Sequence, residues 1–262
     1  ELCWQARAAL VAAGRGIALA VEERLRDAAQ FYVDVQVPSD PWDYGDSDNA
    51  VVTPCFVEEA GAVAEWHAWL EQPERSAALE YWWGAVRREF KSGSQKSASP
   101  TPRLRKESGY WMTRESVWTL RWDVSPLGYL NTAAHGHLDA LHLSIWIKGV
   151  ALVIDPGTGA YYGDTVLRAW LASRTAHNGP CPVGEEFPKR LGPFLWKQPR
   201  ECSGGGLTGE LRQPSGRLRR TVFFMDADDG WRVDDEFEPV AAGSREFTVR
   251  WQFAPETWVK LV

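Results

Sequence analysis

The alternation of apolar and polar positions changes period near residue 100. Before it, Ile17, Val21, Leu25, Ala28 and Tyr32 recur at helical spacing with Glu22, Glu23, Arg24 and Arg26 between them. An amphipathic helix turns such a stripe toward a core. Further helix candidates run over about 56–70 and 74–90, the first ending near Pro73. A Pro/Asp/Gly-rich loop over 38–54 contains Gly45-Asp46-Ser47-Asp48 and reads as solvated, with cation binding or helix capping as alternatives. The polar run over 91–101 reads as a linker. Beyond it the period becomes two. Segments 116–123 and 141–148 alternate, Gly149 permits a tight turn into the apolar 150–154, and 220–227, 231–237 and 246–253 are later strand candidates. The pattern predicts an α+β multidomain chain: 1–90 helical, 91–101 a linker, and 102–262 an antiparallel β region.

Composition narrows the function. A net charge of −6 argues against a nucleic-acid partner, and the basic run Arg217-Leu218-Arg219-Arg220 reads as a solvated strand edge. No apolar run approaches the roughly 18 residues of a membrane span. Cys3, Cys55, Cys181 and Cys202 lack metal-site spacing and read as isolated thiols, with disulfides left open in an oxidising compartment. Fifteen tryptophans build a core of large residues, or line a groove that stacks on sugar rings. The start at Glu1 and the stop at Val262, just after a strand-like segment, read as cuts through a longer protein, so truncation at the C-terminus is expected.

Candidate chemistry is concentrated in His135-Gly136-His137-Leu138-Asp139, Asp155-Pro156-Gly157-Thr158-Gly159 and Ala176-His177-Asn178. Strand alternation would put His135, His137 and Asp139 on one face, continued by Leu141, Leu143, Ile145 and Ile147. Asp155 closes the next strand. A hairpin about Gly149 sets it opposite roughly residue 143, short of His137. Two imidazoles and a carboxylate with an open fourth position form a zinc set; the alternative is histidines hydrogen-bonded to Asp139 and Asp155 in a wet groove. By alternation His142 falls on the other face and reads as a sandwich-surface or second-sheet residue. His67, beside Trp66 and Trp69, reads as packed.

These motifs, with Gly149 through Tyr161, Arg168 and Ser173 through Asn178, preceded by Gly45-Asp46 and followed by Gly192-Pro193-Phe194-Leu195-Trp196, resemble the heparinase II/III family of polysaccharide lyases in their order along the chain. The resemblance implies the end of an (α/α) toroid followed by a large antiparallel β-sandwich. It implies a structural zinc near the active site, held by His137, Asp155 and His177, with Asp139 orienting the ligands. His135 maps to the catalytic histidine of the sandwich. The implied reaction is β-elimination: a base removes the C5 proton of a uronic acid whose carboxylate is neutralised, and the C4–O bond breaks. The partner would be an acidic polysaccharide or oligosaccharide, and the location periplasmic or secreted. Arg168 and Arg174 would meet the uronate carboxylate or pair with Asp155 or Asp164. Asn178 and Tyr161 are further substrate-binding candidates.

One departure stands out. The family's Asn/His pair and general-acid Tyr precede the Gly-Asp loop, and residues 1–43 contain no His and no Asn. A non-catalytic glycan-binding or exopolysaccharide-associated protein that keeps the fold and zinc is therefore the alternative. A zinc hydrolase is a third reading, weakened by the lack of a general-base Glu near the cluster, since Glu185 and Glu186 lie in a loop.

Overall fold

The computed structural model describes residues 2–35, 45–46, 109–159, 161–185, 187–197, 202–225, 230–240, 246–255 and 257–258. The chain divides into two compact units. One comprises 1–42 and 49–99, the other 43–48 and 100–262. The Gly-Asp loop thus belongs with the β unit, although it lies inside the segment expected to be helical. In the first unit two helices are described, α1 (Leu2–Ala12) and α2 (Leu19–Val35). α2 matches the periodic stripe; the described residues, mostly antiparallel sheet with few helices, do not show the expected end of a toroid. The candidates at 56–70 and 74–90, His67 and the linker lie outside the described residues.

The β unit is built on two four-stranded antiparallel sheets. The first has the order β1 (Tyr110–Glu115), β2 (Trp118–Asp123), β3 (Leu143–Ile147), β4 (Val150–Val153). The second has the order β11 (Gly230–Pro239), β10 (Gly216–Met225), β9 (Thr208–Gln213), β8 (Cys202–Gly205). Between them in sequence lie the helix α3 (Thr165–Leu171) and short strands β5 (Cys181–Pro182), β6 (Arg190–Gly192) and β7 (Leu195–Trp196). β5 pairs with β12 (Phe247–Thr248), and β6 with β7. Only two residues of the expected 246–253 strand form β12, with an isolated bridge from Phe253 to Val153.

Both sheets feed one core. Trp111, Leu120, Trp122, Leu143, Ile145 and Val153 come from the first sheet and Leu211, Leu218 and Val222 from the second. Trp122 and Trp146 are fully buried, and each indole N–H lacks a partner among the described residues. Burying a ring of about 200 Å² contributes on the order of 5 kcal/mol. A missing hydrogen bond costs about 1–3 kcal/mol, so burial wins at both positions. Space is tight at Gly209, where an added Cβ would lie 2.6 Å from Leu141 Cδ2 and 2.8 Å from Trp122 Cζ2.

The hairpin expected at Gly149 is present. Lys148 (φ +50°) and Gly149 (φ +77°) make the two-residue turn, and Ile145 pairs with Val153. Extending that register sets residue 155 opposite residue 143. The other side differs from expectation. β3 begins only at Leu143, because His135 (φ +57°) and Leu141 (φ +67°) are left-handed and break the extended run. Alternation therefore does not hold over 135–142.

Candidate functional site

Several of the sequence motifs turn out to hold one another in place. The His135 N–H donates to the Phe194 carbonyl at 2.8 Å, and Trp196 Nε1–H donates to the Gly136 carbonyl at 2.7 Å. The Gly192–Trp196 motif therefore fixes the backbone that carries the first two histidines. Gly157 N–H donates to Asp155 Oδ1 at 2.8 Å, folding the Asp-Pro-Gly turn onto its own carboxylate. Thr158 Oγ1–H donates to the Gly45 carbonyl at 2.7 Å and so anchors Asp46.

Titratable groups run from the surface inward. His135 is exposed at the outer end (side chain 54% accessible), and its Nδ1 lies 3.0 Å from Asp46 Oδ2. The Asp46 carboxylate is buried, and its Oδ1 lies 2.8 Å from His137 Nε2 and pairs with Arg168. The His137 ring lies against that of His177, with centroids 5.6 Å apart. His177 Nδ1 lies 3.4 Å from Asp155 Oδ2, an ion-pair distance whose geometry makes no hydrogen bond. His142 Nε2 lies 3.8 Å from the same oxygen. Around His135 the rings of Tyr161 and Phe194 stack with centroids 5.1 Å apart, Tyr161 Oη lies 3.1 Å from His135 Nδ1, and Tyr162 is 84% exposed.

Burial and charge set the protonation states. Burial raises the Asp46 carboxyl, but hydrogen bonds from His137 and Arg168 outweigh it and hold the group below its ordinary value. Burial lowers the His137 imidazole, and Asp46 offsets this only in part. Burial pushes His142 down to about 3. At Asp155 burial opposes the charge, yet His177 and His142 hold the carboxyl well below the usual carboxylate range. His177 is the converse case: burial lowers it, and Asp155 more than compensates and raises it.

Two sets of observations bear on a metal. By distance, His142, Asp155 and His177 form the one group of possible ligands among the described residues, with ligand atoms within 4.8 Å of one another. His142 is 1% exposed and inside the cluster, which corrects its reading as a sandwich-surface or second-sheet residue; the left-handed Leu141 turns it inward. By hydrogen bonding, the atoms without partners are Asp155 Oδ2, both ring nitrogens of His177, and His137 Nδ1. His142 is already engaged: Nδ1 accepts the Asn178 N–H at 3.3 Å and Nε2 faces Ser144 Oγ at 3.2 Å. Buried polar atoms are normally paired, so these vacant nitrogen and carboxylate atoms suit a zinc-type cation by their chemistry, while the group defined by distance holds His142 rather than His137.

Three residues expected to contact substrate are buried and have partners inside the protein. Asn178 is fully buried; its amide accepts from Leu143 N–H at 2.9 Å, donates to the Leu143 carbonyl at 2.6 Å and receives Arg220 Nη1 at 3.1 Å. It serves as a strand partner for β3. Arg168 is 3% exposed and pairs with Asp46, while Asp164 instead caps α3. Arg174 is 5% exposed and donates to the Pro180 carbonyl at 3.2 Å. Buried guanidinium groups pair inside the protein because an unpaired buried charge is costly. Asp139 is buried and close enough to His177 to act on its charge, as an orienting residue would be. Asp46, expected in a solvated loop, has its carboxylate buried against His137.

A family model described as Heparinase II/III-like, C-terminal, matches residues 98–261. No curated protein matches. Among solved structures the chain is similar to the crystal structure of heparinase III, at 15% identity and TM-score 0.56, over 86% of this chain and 36% of that one. It is similar to the heparinase III BT4657 gene product at 18% identity and TM-score 0.60, over 94% and 36%. It is also similar to the heparan sulfate lyase HepC from Pedobacter heparinus at 17% identity and TM-score 0.57, over 91% and 36%. At these identities the likeness is one of fold, and the chain spans 36% of the length of each structure.

Proposed function

Because the chain belongs to the heparinase II/III-like family, we propose that it is part of a polysaccharide lyase that cleaves a uronic-acid-containing glycan by β-elimination. The observation that carries this reading is His135. It is exposed beside Tyr161, Tyr162 and Phe194, and it sits directly above the buried carboxylate and histidine cluster. His135 takes the C5 proton, the electron pair forms the C4–C5 double bond, and the C4–O pair leaves on the glycosidic oxygen, which stays on C1 of the neighbouring sugar and takes up a proton from solvent. The Tyr161 hydroxyl at the rim is placed to hydrogen-bond a sugar, and the Tyr162 ring offers a stacking face.

We propose zinc as the cofactor, held by His137, Asp155 and His177, with Asp139 orienting His177. Support comes from the unpartnered donors on those three ligands, whereas both His142 nitrogens are engaged. When bound, the ion supplies a fixed positive charge that ties the three motif loops together. Residues 91–101 would form the domain boundary. A polymeric acidic substrate, too large to enter a cell, favours a periplasmic or secreted location. No helix among the described residues is long and apolar enough to cross a membrane.

The test is ultraviolet absorbance of unsaturated uronate on alginate, heparan and chondroitin, using this chain and the longest natural protein that carries it. Absence of product from both on every substrate would sink the lyase reading. A second reading, glycan binding without chemistry, is favoured by the burial of Arg168, Arg174 and Asn178, which removes three expected clamps on the uronate. Calorimetric binding without any absorbance rise would select it.

A further inference from the structure

We infer that Asp46 is a positioning residue that sets the tautomers of two histidines at once, leaving one lone pair for the metal and one for the substrate. The geometry carries the argument. One buried carboxylate reaches His135 Nδ1 through Oδ2 (3.0 Å) and His137 Nε2 through Oδ1 (2.8 Å). A carboxylate only accepts, so each neutral ring must present its N–H to it. His135 then carries its proton on Nδ1 and keeps the Nε2 lone pair. His137 carries its proton on Nε2 and keeps the lone pair on Nδ1, the buried atom that has no hydrogen-bond partner.

Two other contacts could oppose this. Tyr161 Oη lies 3.1 Å from His135 Nδ1 and could donate to it. A charge-assisted bond to carboxylate is roughly twice as strong as a neutral one, so Asp46 decides the tautomer and the phenol oxygen shares the same proton. Arg168 Nη1 lies 3.3 Å from His137 Nε2. Both are donors to Asp46 Oδ1, and their separation follows from sharing that oxygen. Second partners that fix ring orientation in this way are common beside metal-binding and catalytic histidines.

The consequence for turnover rests on the lyase reading; the tautomers do not. In the full chain with 15N-labelled histidine, two-bond proton–nitrogen correlations report which nitrogen carries the proton, with His135→Gln and His137→Gln identifying the signals. The expected result is Nδ1–H at His135 and Nε2–H at His137. A proton on Nε2 of His135, or on Nδ1 of His137, overturns the inference. Asp46→Asn should lower kcat by about 10²–10⁴-fold with KM nearly unchanged and weaken zinc binding by about 10–100-fold. Unchanged turnover together with unchanged zinc affinity in a folded Asp46→Asn also overturns it. If that variant does not fold, the tautomers of the unaltered chain decide alone. If neither the unaltered chain nor the longest natural protein that carries it has lyase activity, the lyase reading fails, while the tautomers and zinc affinity still test Asp46.

Discussion

Replacing Arg220 by Met should cost the β unit much of its stability and loosen the histidine cluster with it. Arg220 rises from β10 fully buried. Its Nε and Nη2 donate to both oxygens of Asp235 at 2.7 Å, and its Nη1 donates to the Leu141 carbonyl at 2.8 Å and to Asn178 Oδ1 at 3.1 Å. Leu141 and Asn178 directly adjoin His142 and His177, so one guanidinium from the second sheet braces both cluster segments. Methionine fills similar volume without a donor. It strands the Asp235 carboxylate, whose side chain is only 12% exposed. Breaking a buried pair on one side costs about 3–5 kcal/mol, against total stabilities of about 5–15 kcal/mol. For a domain of this size the same loss lowers Tm by roughly 6–20 °C. Denaturant midpoints and calorimetry on the two single variants and the double variant Arg220→Met/Asp235→Leu test this. Removing both charges should recover most of the loss, because paired removal leaves no stranded carboxylate. A single variant within about 1 kcal/mol of the unaltered chain, or a double variant as damaged as the single, would refute the reasoning.

Three further outcomes are expected. His177→Ala and His137→Ala should each weaken zinc binding, measured by competition with a chelator, by at least about tenfold, and His142→Ala by less; the reverse order would transfer the third ligand to His142. Acidification should destabilise the metal-free chain. A ring held at about 3 rather than 6.5 contributes stability that is complete above pH 6.5 and is lost as pH falls toward 3, by at most about 1.4 kcal/mol per pH unit. His177, raised, works oppositely: its contribution is complete below 6.5 and is lost as pH rises through its folded value. Urea midpoints of the unaltered chain should therefore fall between pH 6.5 and 4 and flatten in His142→Gln, and an unaltered-chain midpoint that stays level would count against the buried neutral ring. Tyr162→Ala, at a position 84% exposed, should raise KM by about two- to tenfold with little change in melting temperature, since an aromatic contact is worth about 0.5–1.5 kcal/mol; an unchanged KM removes the stacking role.

How much of this was legible before the structure depended on range. The Gly149 hairpin was readable because Lys148-Gly149 separates two apolar runs, and its register set residue 155 across from 143. That register already pointed to His142, one residue from 143, as the neighbour of Asp155. The inference was missed because alternation was carried through 135–142. Leucine carries no residue-type signal for the left-handed backbone of Leu141, and histidine only a weak one for His135. β9 was missed for a different reason: its inner face includes Gly209, a position that must stay small against Trp122, so its apolar alternation is faint. Arg168, Arg174 and Asn178 were identified as important but assigned to the ligand, because a polar side chain does not announce whether its partner is a sugar or its own backbone. Asp46 was least legible, lying 89 residues from His135. Its one signal was the Gly-Asp pair within the ordered motifs.

The β unit is discontinuous in sequence, and that governs how it can be handled. Its segment 43–48 is separated from 100–262 by fifty-odd residues assigned to the other unit. A clone begun at residue 98, where the family match starts, would contain every histidine of the cluster and both sheets. It would lack Asp46. Arg168 would then be a buried cation with no anion, and His135 and His137 would lose their common acceptor. Such a truncation would fail as a minimal domain even with the β fold intact, and swapping β units between relatives would require moving two pieces of chain together.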